Sequence, residues 1–266
     1  MRRLIIRPGA VGDFIVSMPA MEHLRTEYLE VWTATQNVPL ARFADRARSI
    51  ASTGLDLLGI GDPEPRLIAE LRGFDSIVSW YGANRPDFRE LVQAHGLRFS
   101  FFPALPPAGA GMHAVDFYLA QVGAAPGAWP HIHCPAARGD FAVLHPFSGS
   151  PRKNWPFERY IELAARLQAR MPVHWCAGPE ETLTGAVLIE NLYELACWLA
   201  SSRVYIGNDS GITHLAAAAG AQVIGLFGPS DPVVWGPRGP GVRILCRQPM
   251  EAISVGDVLG LIYDEK

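Results

Sequence analysis

VYIGNDSGITHLAAAAGAQVIGLF, residues 204–227, decides the fold. Val204–Ile206 reads as a short buried strand, Gly211–Ala219 as an alanine-rich helix, and Gln222–Phe227 as a second, β-branched strand. Two fully apolar strands joined through a tight turn and a helix form a βαβ unit, whose strands run parallel with both faces covered. Residues 210–230 carry no Asp, Glu, Lys or Arg. They still do not read as a membrane span. Ala-rich sequence gives way to β-branched sequence at Ala221-Gln222-Val223, and His214 and Gln222 interrupt the run, so a buried helix followed by a buried strand fits better.

The same alternation extends outward. Strands are expected at Phe141–His145, Val173–Cys176 and Val242–Cys246, and helices over Phe157–Arg170, Leu192–Ala200 and Val255–Tyr263. Asn191 with Glu194 has capping-box spacing, and Ser254 suits the N-cap of the last helix. Nearer the N-terminus, strands are expected at Leu4–Arg7, Val31–Ala34, Leu55–Leu58, Ser76–Trp80 and Phe99–Phe102. Helices are expected over Ala20–Tyr28, Val38–Ala51, Pro65–Leu71, Asp87–Ala94 and His113–Val122. Residues 123–139 hold three prolines and three glycines without apolar periodicity, and read as the linker. The fold class is therefore α/β, with two Rossmann-like domains over residues 1–135 and 136–266. The last helix is free to pack back on the first domain, and ligands are expected at strand C-terminal ends in a cleft between the halves.

Composition narrows the function. With 49% hydrophobic and 18% charged residues, this 266-residue chain has the apolar surface for a real core and is not disordered. A net charge of −3 gives no general attraction to nucleic acid. Four cysteines without a C-x-x-C pair are expected to be reduced, buried thiols of a cytoplasmic protein. His131, His133 and Cys134 stand between Pro130 and Pro135 in extended chain, where they cannot all face one metal ion. Arg7-Pro8 ends the apolar run Leu4–Ile6 too early for an export signal.

Three segments, each leaving an expected strand, carry the candidate chemistry. In Arg7-Pro-Gly-Ala-Val-Gly-Asp13 the glycines allow a tight turn and Asp13 stands where a helix begins, as a reactive carboxylate or simply as a cap. The turn lacks the G-x-G-x-x-G pattern, which argues against a dinucleotide-dependent oxidoreductase. In residues 145–156, HPFSGSPRKNWP, the hydroxyls of Ser148 and Ser150 and the cations Arg152 and Lys153 precede a helix, as a phosphate site requires; a solvated basic loop is the plain alternative. In Gly207-Asn-Asp-Ser-Gly-Ile-Thr-His214, residues Asp209, Ser210, Gly211, Thr213 and His214 surround a helix start whose free N–H groups suit an anion. A capped helix with a packed histidine would look the same.

Together, RPGAVGDFIVSMP, HPFSGSPRKNWPFERY and GNDSGITHLAAAAGAQVIGLFGPSDPVVWGPRGP, in this order and separation, resemble the ADP-heptose:lipopolysaccharide heptosyltransferase family, glycosyltransferase family 9. The resemblance runs along nearly the whole C-terminal half, but in the N-terminal half only over Leu4–Arg25, and the chain is shorter than typical members. It implies a GT-B fold with the acceptor on the N-terminal domain and the nucleotide sugar on the C-terminal one, and inverting transfer without metal or other cofactor. By residue it implies Asp13 as general base and Lys153, with Ser148 and Ser150, on the diphosphate. The turn Asp209–His214 would donate to the same phosphates, and Glu181, or its neighbour Glu180, would take the ribose hydroxyls. The implied partners are a nucleotide-sugar donor, with ADP-heptose first, and a glycan or lipid-linked glycan acceptor. A lipid-linked acceptor would bring at most peripheral contact at the inner face of the cytoplasmic membrane. Acceptor residues are not identified; Arg7, Trp80, Tyr81 and Arg85 are candidates by position. Two other functions fit parts of the pattern: a nucleotide-sugar epimerase or hydrolase, which would cluster its acid and base groups in the second half, and a non-catalytic nucleotide-sugar-binding paralogue.

Overall fold

The computed structural model describes residues 1–58, 65–107, 109, 111–135 and 137–263. The chain divides into two units, residues 1–110 with 114–126, and residues 127–266 with 111–113. The division falls after Pro126, earlier in the linker than the sequence suggested; residue 136, the expected start of the second half, lies outside the described residues.

The first unit is a parallel sheet in the order β3-β2-β1-β4-β5, made of β1 (Arg2–Arg7), β2 (Tyr28–Thr33), β3 (Arg46–Ser49), β4 (Ser76–Ser79) and β5 (Phe99–Phe101). Its helices are α1 (Val11–His23), α2 (Pro65–Arg72), α3 (Pro86–Ala94) and α4 (Ala114–Gln121). Leu4, Ile6, Trp32, Ile77 and Phe88 are among its fully covered core residues, on three neighbouring strands and α3.

Three expectations fail here. Leu55–Leu57 is a 3₁₀ turn, not a strand. The third strand is Arg46–Ser49, inside the stretch expected to be helix. This edge strand has no apolar alternation to reveal it. It is drawn in by charge, with Arg46 and Arg48 lying 4.0 and 3.7 Å from the carboxylate of Glu30, buried on β2. The first helix spans Val11–His23, through Pro19, and not the expected Ala20–Tyr28. A proline there forfeits a backbone bond, but Phe14–Met21 are all buried, so packing outweighs that loss.

In the second unit all the strands and helices expected beyond the linker form, with small shifts at their ends. The strands are β6 (Ala142–His145), β7 (Val173–Trp175), β8 (Val204–Asn208), β9 (Val223–Phe227) and β10 (Val242–Cys246), parallel in the order β10-β9-β8-β6-β7. The helices are α5 (Phe157–Gln168), α6 (Leu192–Ala200), α7 (Gly211–Ala218), a short α8 (Pro232–Trp235) and α9 (Val255–Tyr263). Asn191 caps α6 through the N–H groups of Tyr193 and Glu194. Ser254 and Asp257 cap α9 reciprocally, with Asp257 N–H donating to Ser254 Oγ at 3.0 Å and Ser254 N–H to Asp257 Oδ2 at 2.9 Å. Helix α9 covers its own unit: Val255, Val258 and Ile262 join Tyr160, Leu163 and Leu167 of α5 in one core. Of the four cysteines expected to be buried, only Cys176 is fully so.

Each strand order reverses once, between β1 and β4 in the first sheet and between β6 and β8 in the second. Loops leaving neighbouring strands at such a point diverge to opposite faces and open a crevice at the strand C-terminal ends. The chemistry-bearing loops leave β1, β6 and β8. Among the described residues, no helix is long and apolar enough to cross a membrane.

Candidate functional site

At the reversal point of the second unit, the loop after β6 meets the turn after β8. Lys153 Nζ donates to Asp209 Oδ2 at 2.8 Å, in an ion pair whose carboxylate is almost wholly buried. A short 3₁₀ turn, Pro151–Lys153, brings the lysine round to it. Asn208 fixes this meeting. Its side chain is fully buried; Nδ2 donates to the Pro146 carbonyl at 2.8 Å, while Oδ1 accepts from Trp155 N–H and from the Tyr160 hydroxyl, both at 3.0 Å. One amide therefore holds both ends of the loop. The sequence reading passed over Asn208 as a functional residue; the available signal was a polar side chain ending an otherwise apolar strand.

Not every candidate is placed to meet an anion. Ser148 Oγ lies 2.8 Å from the Ser150 carbonyl and 2.7 Å from Asn154 Oδ1, both acceptors, so its proton is spent inside the loop. Ser150 is half-buried and leads into the lysine turn. Ser210 caps α7, accepting from Thr213 N–H at 3.3 Å. Thr213 is turned inward, contrary to expectation: its fully buried hydroxyl donates to the Asn208 carbonyl and lies 3.0 Å from the Tyr205 hydroxyl. It holds the turn rather than facing a ligand. The N–H groups of Gly211 and Ile212, in the first turn of α7, have no intrahelical acceptor and carry the positive end of the helix dipole.

His214 is buried in that first turn, and desolvation pushes its pKa down to about 4. Asp209 opposes the shift while the neighbouring His113 and Lys153 reinforce it, so the imidazole is neutral at pH 7 and contributes hydrogen bonding rather than charge.

Glu181 lies beyond β7. Its Oε2 accepts from Gly178 N–H at 2.6 Å and from His145 Nε2 at 3.1 Å. Burial raises its pKa, but the bonds and charge from His145 and Gly178 outweigh burial and leave it below the ordinary carboxylate value. Glu180 is exposed.

In the first unit, α1 is capped at Ala10 without any side-chain bond, so the half-buried Asp13 is not its cap. Gly9, at φ +135°, lets the loop pass beneath it; a Cβ there would lie 3.4 Å from Asp13 Cβ. Arg7 is buried and reaches the Ser17 hydroxyl at 3.1 Å, the Asp13 carbonyl at 3.0 Å and the Tyr118 hydroxyl at 2.9 Å. Trp80 is buried as well, donating to Gln121 Oε1 at 2.6 Å. Neither is available to an acceptor as the sequence suggested. Tyr81 and Arg85 are half-buried and hydrogen-bonded to each other.

Residues 119–259 match the model of glycosyltransferase family 9 (heptosyltransferase). The chain belongs to this family. Lipopolysaccharide heptosyltransferase 1 of Escherichia coli K12 is 30% identical over 130 residues, which cover 44% of this chain and 40% of that protein. Its counterpart in Salmonella typhimurium LT2 is 28% identical over 149 residues, covering 50% and 47%. The matched stretch thus spans less than half the length of these curated relatives. Among solved structures, E. coli ADP-heptose LPS heptosyltransferase II superposes with a TM-score of 0.77 at 17% identity, covering 98% of each chain. E. coli heptosyltransferase WaaC with ADP does so at 0.70 and 17%, covering 100% of each. The fold of the family 9 chain is the GT-B type. The Asp13 loop lies outside the matched 119–259.

Replacing Asn208 by Ala strands the buried Trp155 N–H and the Tyr160 hydroxyl, and is expected to cost roughly 2–4 kcal/mol in urea unfolding. Acid should also weaken the second unit. His214 ordinarily titrates near pH 6.5 but near 4 in the fold, so the unfolded chain gains a proton first and stability falls as pH drops from about 6.5 to 4. Melting temperatures across that range should decline less steeply for His214→Gln.

Proposed function

We propose that the chain transfers a sugar, heptose, from a nucleoside diphosphate donor, ADP-heptose, to a glycan acceptor such as lipopolysaccharide core, with inversion and without a metal. Family membership supports glycosyl transfer, and the solved relatives include WaaC with ADP and with ADP-2-deoxy-2-fluoro heptose. The observation that carries the reading is the meeting of Lys153 with the Asp209–Gly211 turn at the β6/β8 reversal point. A lipid-linked acceptor would place the reaction at the cytoplasmic face of the membrane.

In this reading Asp13 takes the proton of the acceptor hydroxyl as its oxygen bonds to the anomeric carbon. The bond from that carbon to the diphosphate breaks on the opposite face, and the electron pair leaves with ADP. A carboxylate is a weak base, but the hydroxyl becomes acidic as it attacks. The departing charge falls to the Lys153 ammonium, which Asp209 aims, and to the N–H groups of Gly211 and Ile212. Each charge-assisted bond is worth roughly 1.5–3 kcal/mol, or about 10- to 150-fold in rate if made only in the transition state. Lysine and helix terminus together can do the work of a divalent cation; the lysine alone cannot. Glu181 accepts from the ribose hydroxyls.

Calorimetry with ADP in the absence of magnesium tests the site. Lys153→Ala should weaken binding about 10- to 150-fold, since it removes the cation and leaves a buried Asp209 carboxylate unpaired. An absolute need for magnesium would overturn the metal-free mechanism. Asp13→Asn should abolish transfer with ADP affinity little changed, and loss of both would return Asp13 to a structural role. Release of free heptose without an acceptor would identify a hydrolase, and binding without turnover a paralogue that only binds.

A further inference from the structure

His145 ends β6 opposite Gly207 of β8, and is 1% exposed. Its Nε2 lies 3.1 Å from Glu181 Oε2, while its Nδ1 is buried with no hydrogen-bond partner among the described residues. A buried polar atom without a partner costs about 1–3 kcal/mol. The ring packs edge-on against Phe147, at 6.0 Å between centroids, so an apolar ring would fill the same space without that cost. Nor does the loop bearing Glu181 need the imidazole to close. Glu181 N–H already donates to the Gly178 carbonyl at 3.1 Å, and Gly178 N–H returns a bond to Glu181 Oε2 at 2.6 Å. What an apolar ring would lose is the one bond to the carboxylate.

We propose that His145 is a positioning residue for nucleotide recognition: its Nε2–H pins Glu181 Oε2, fixing the carboxylate so that Oε1 accepts from the ribose hydroxyls. The inference rests on the reading of Glu181 given above. Since both structural bonds converge on one oxygen, the other keeps its lone pairs for the ligand. Without the imidazole, the carboxylate hangs from a single N–H and can rotate. Gly178 N–H fixes where the oxygen sits; His145, approaching from a different strand, fixes how the carboxylate plane is turned.

The test compares ADP with 2′,3′-dideoxy-ADP, by calorimetry on the full chain. Wild type should favour ADP. His145→Phe should lose about 10-fold in ADP affinity, leave dideoxy-ADP binding unchanged, and melt no lower than wild type. His145→Gln, whose amide can donate from nearly the same place, should recover most of the preference. Glu181→Gln should show the same selective loss, and adding His145→Phe to it should cost nothing further. A wild type indifferent to the ribose hydroxyls overturns the Glu181 reading and this inference with it. A wild type that prefers ADP, with His145→Phe keeping that preference or losing both nucleotides equally, overturns the role of His145 alone. If the phenylalanine variant fails to fold, His145→Met, whose side chain cannot donate either, carries the same comparison with the same two outcomes.

Discussion

From a position sealed off from water, the Asn208 amide bonds the Pro146 carbonyl, the Trp155 N–H and the Tyr160 hydroxyl, and the site of the second unit depends on these bonds. The loop after β6 is rich in Ser, Gly and Pro, and nothing in its own sequence would fix one conformation. Tying the Pro146 carbonyl and the Trp155 N–H to one amide at the end of β8 converts it into a rigid arch. Only then does Lys153 reach Asp209. The buried amide is specific because its alternatives are poor: any side chain unable both to donate and to accept would leave part of the arch unpaired in a low-dielectric interior.

The first unit solves a similar problem with a cation. Arg7 lies buried at the end of β1, bonded to a hydroxyl of α1, a hydroxyl of α4 and the Asp13 carbonyl, with its guanidinium 4.9 Å from the Tyr118 ring centre. It ties the strand end to two helices and holds the loop that presents Asp13. Charge and hydrogen bonding at this place serve the backbone, which is why position alone misled when it suggested an acceptor contact.

The legibility of the sequence followed the physics of each half. In the second unit the central strands β6, β8 and β9 are fully buried and the helices amphipathic or alanine-rich, so apolar runs marked almost every element. In the first unit, β3 is held by arginines against a buried glutamate, and α1 runs through a proline; neither interaction leaves a trace in hydrophobic periodicity. The site was legible as far as residue type went. Lys153 and Asp209 stood out as charges in loops leaving strands, whereas Glu181 came only from the family resemblance. The direction of a hydroxyl was not legible: Thr213 and Ser148 carry the right atoms but spend them on neighbouring backbone or amide groups, and sequence does not record where a proton points. Asn208 and His145 stood within the segments read as candidate chemistry but were given no role, because sequence does not record which side chains of a loop turn inward.

The arginines of β3 have one more effect. This strand forms an outer margin of its sheet, with no further strand paired beyond it among the described residues. A flat apolar margin of that kind invites another chain to zip onto it and seed aggregates. Because Arg46 remains largely hydrated while its strand is anchored through Glu30, a chain docking there would have to strip water from a cation. The residues that recruit the strand thereby also guard its open flank.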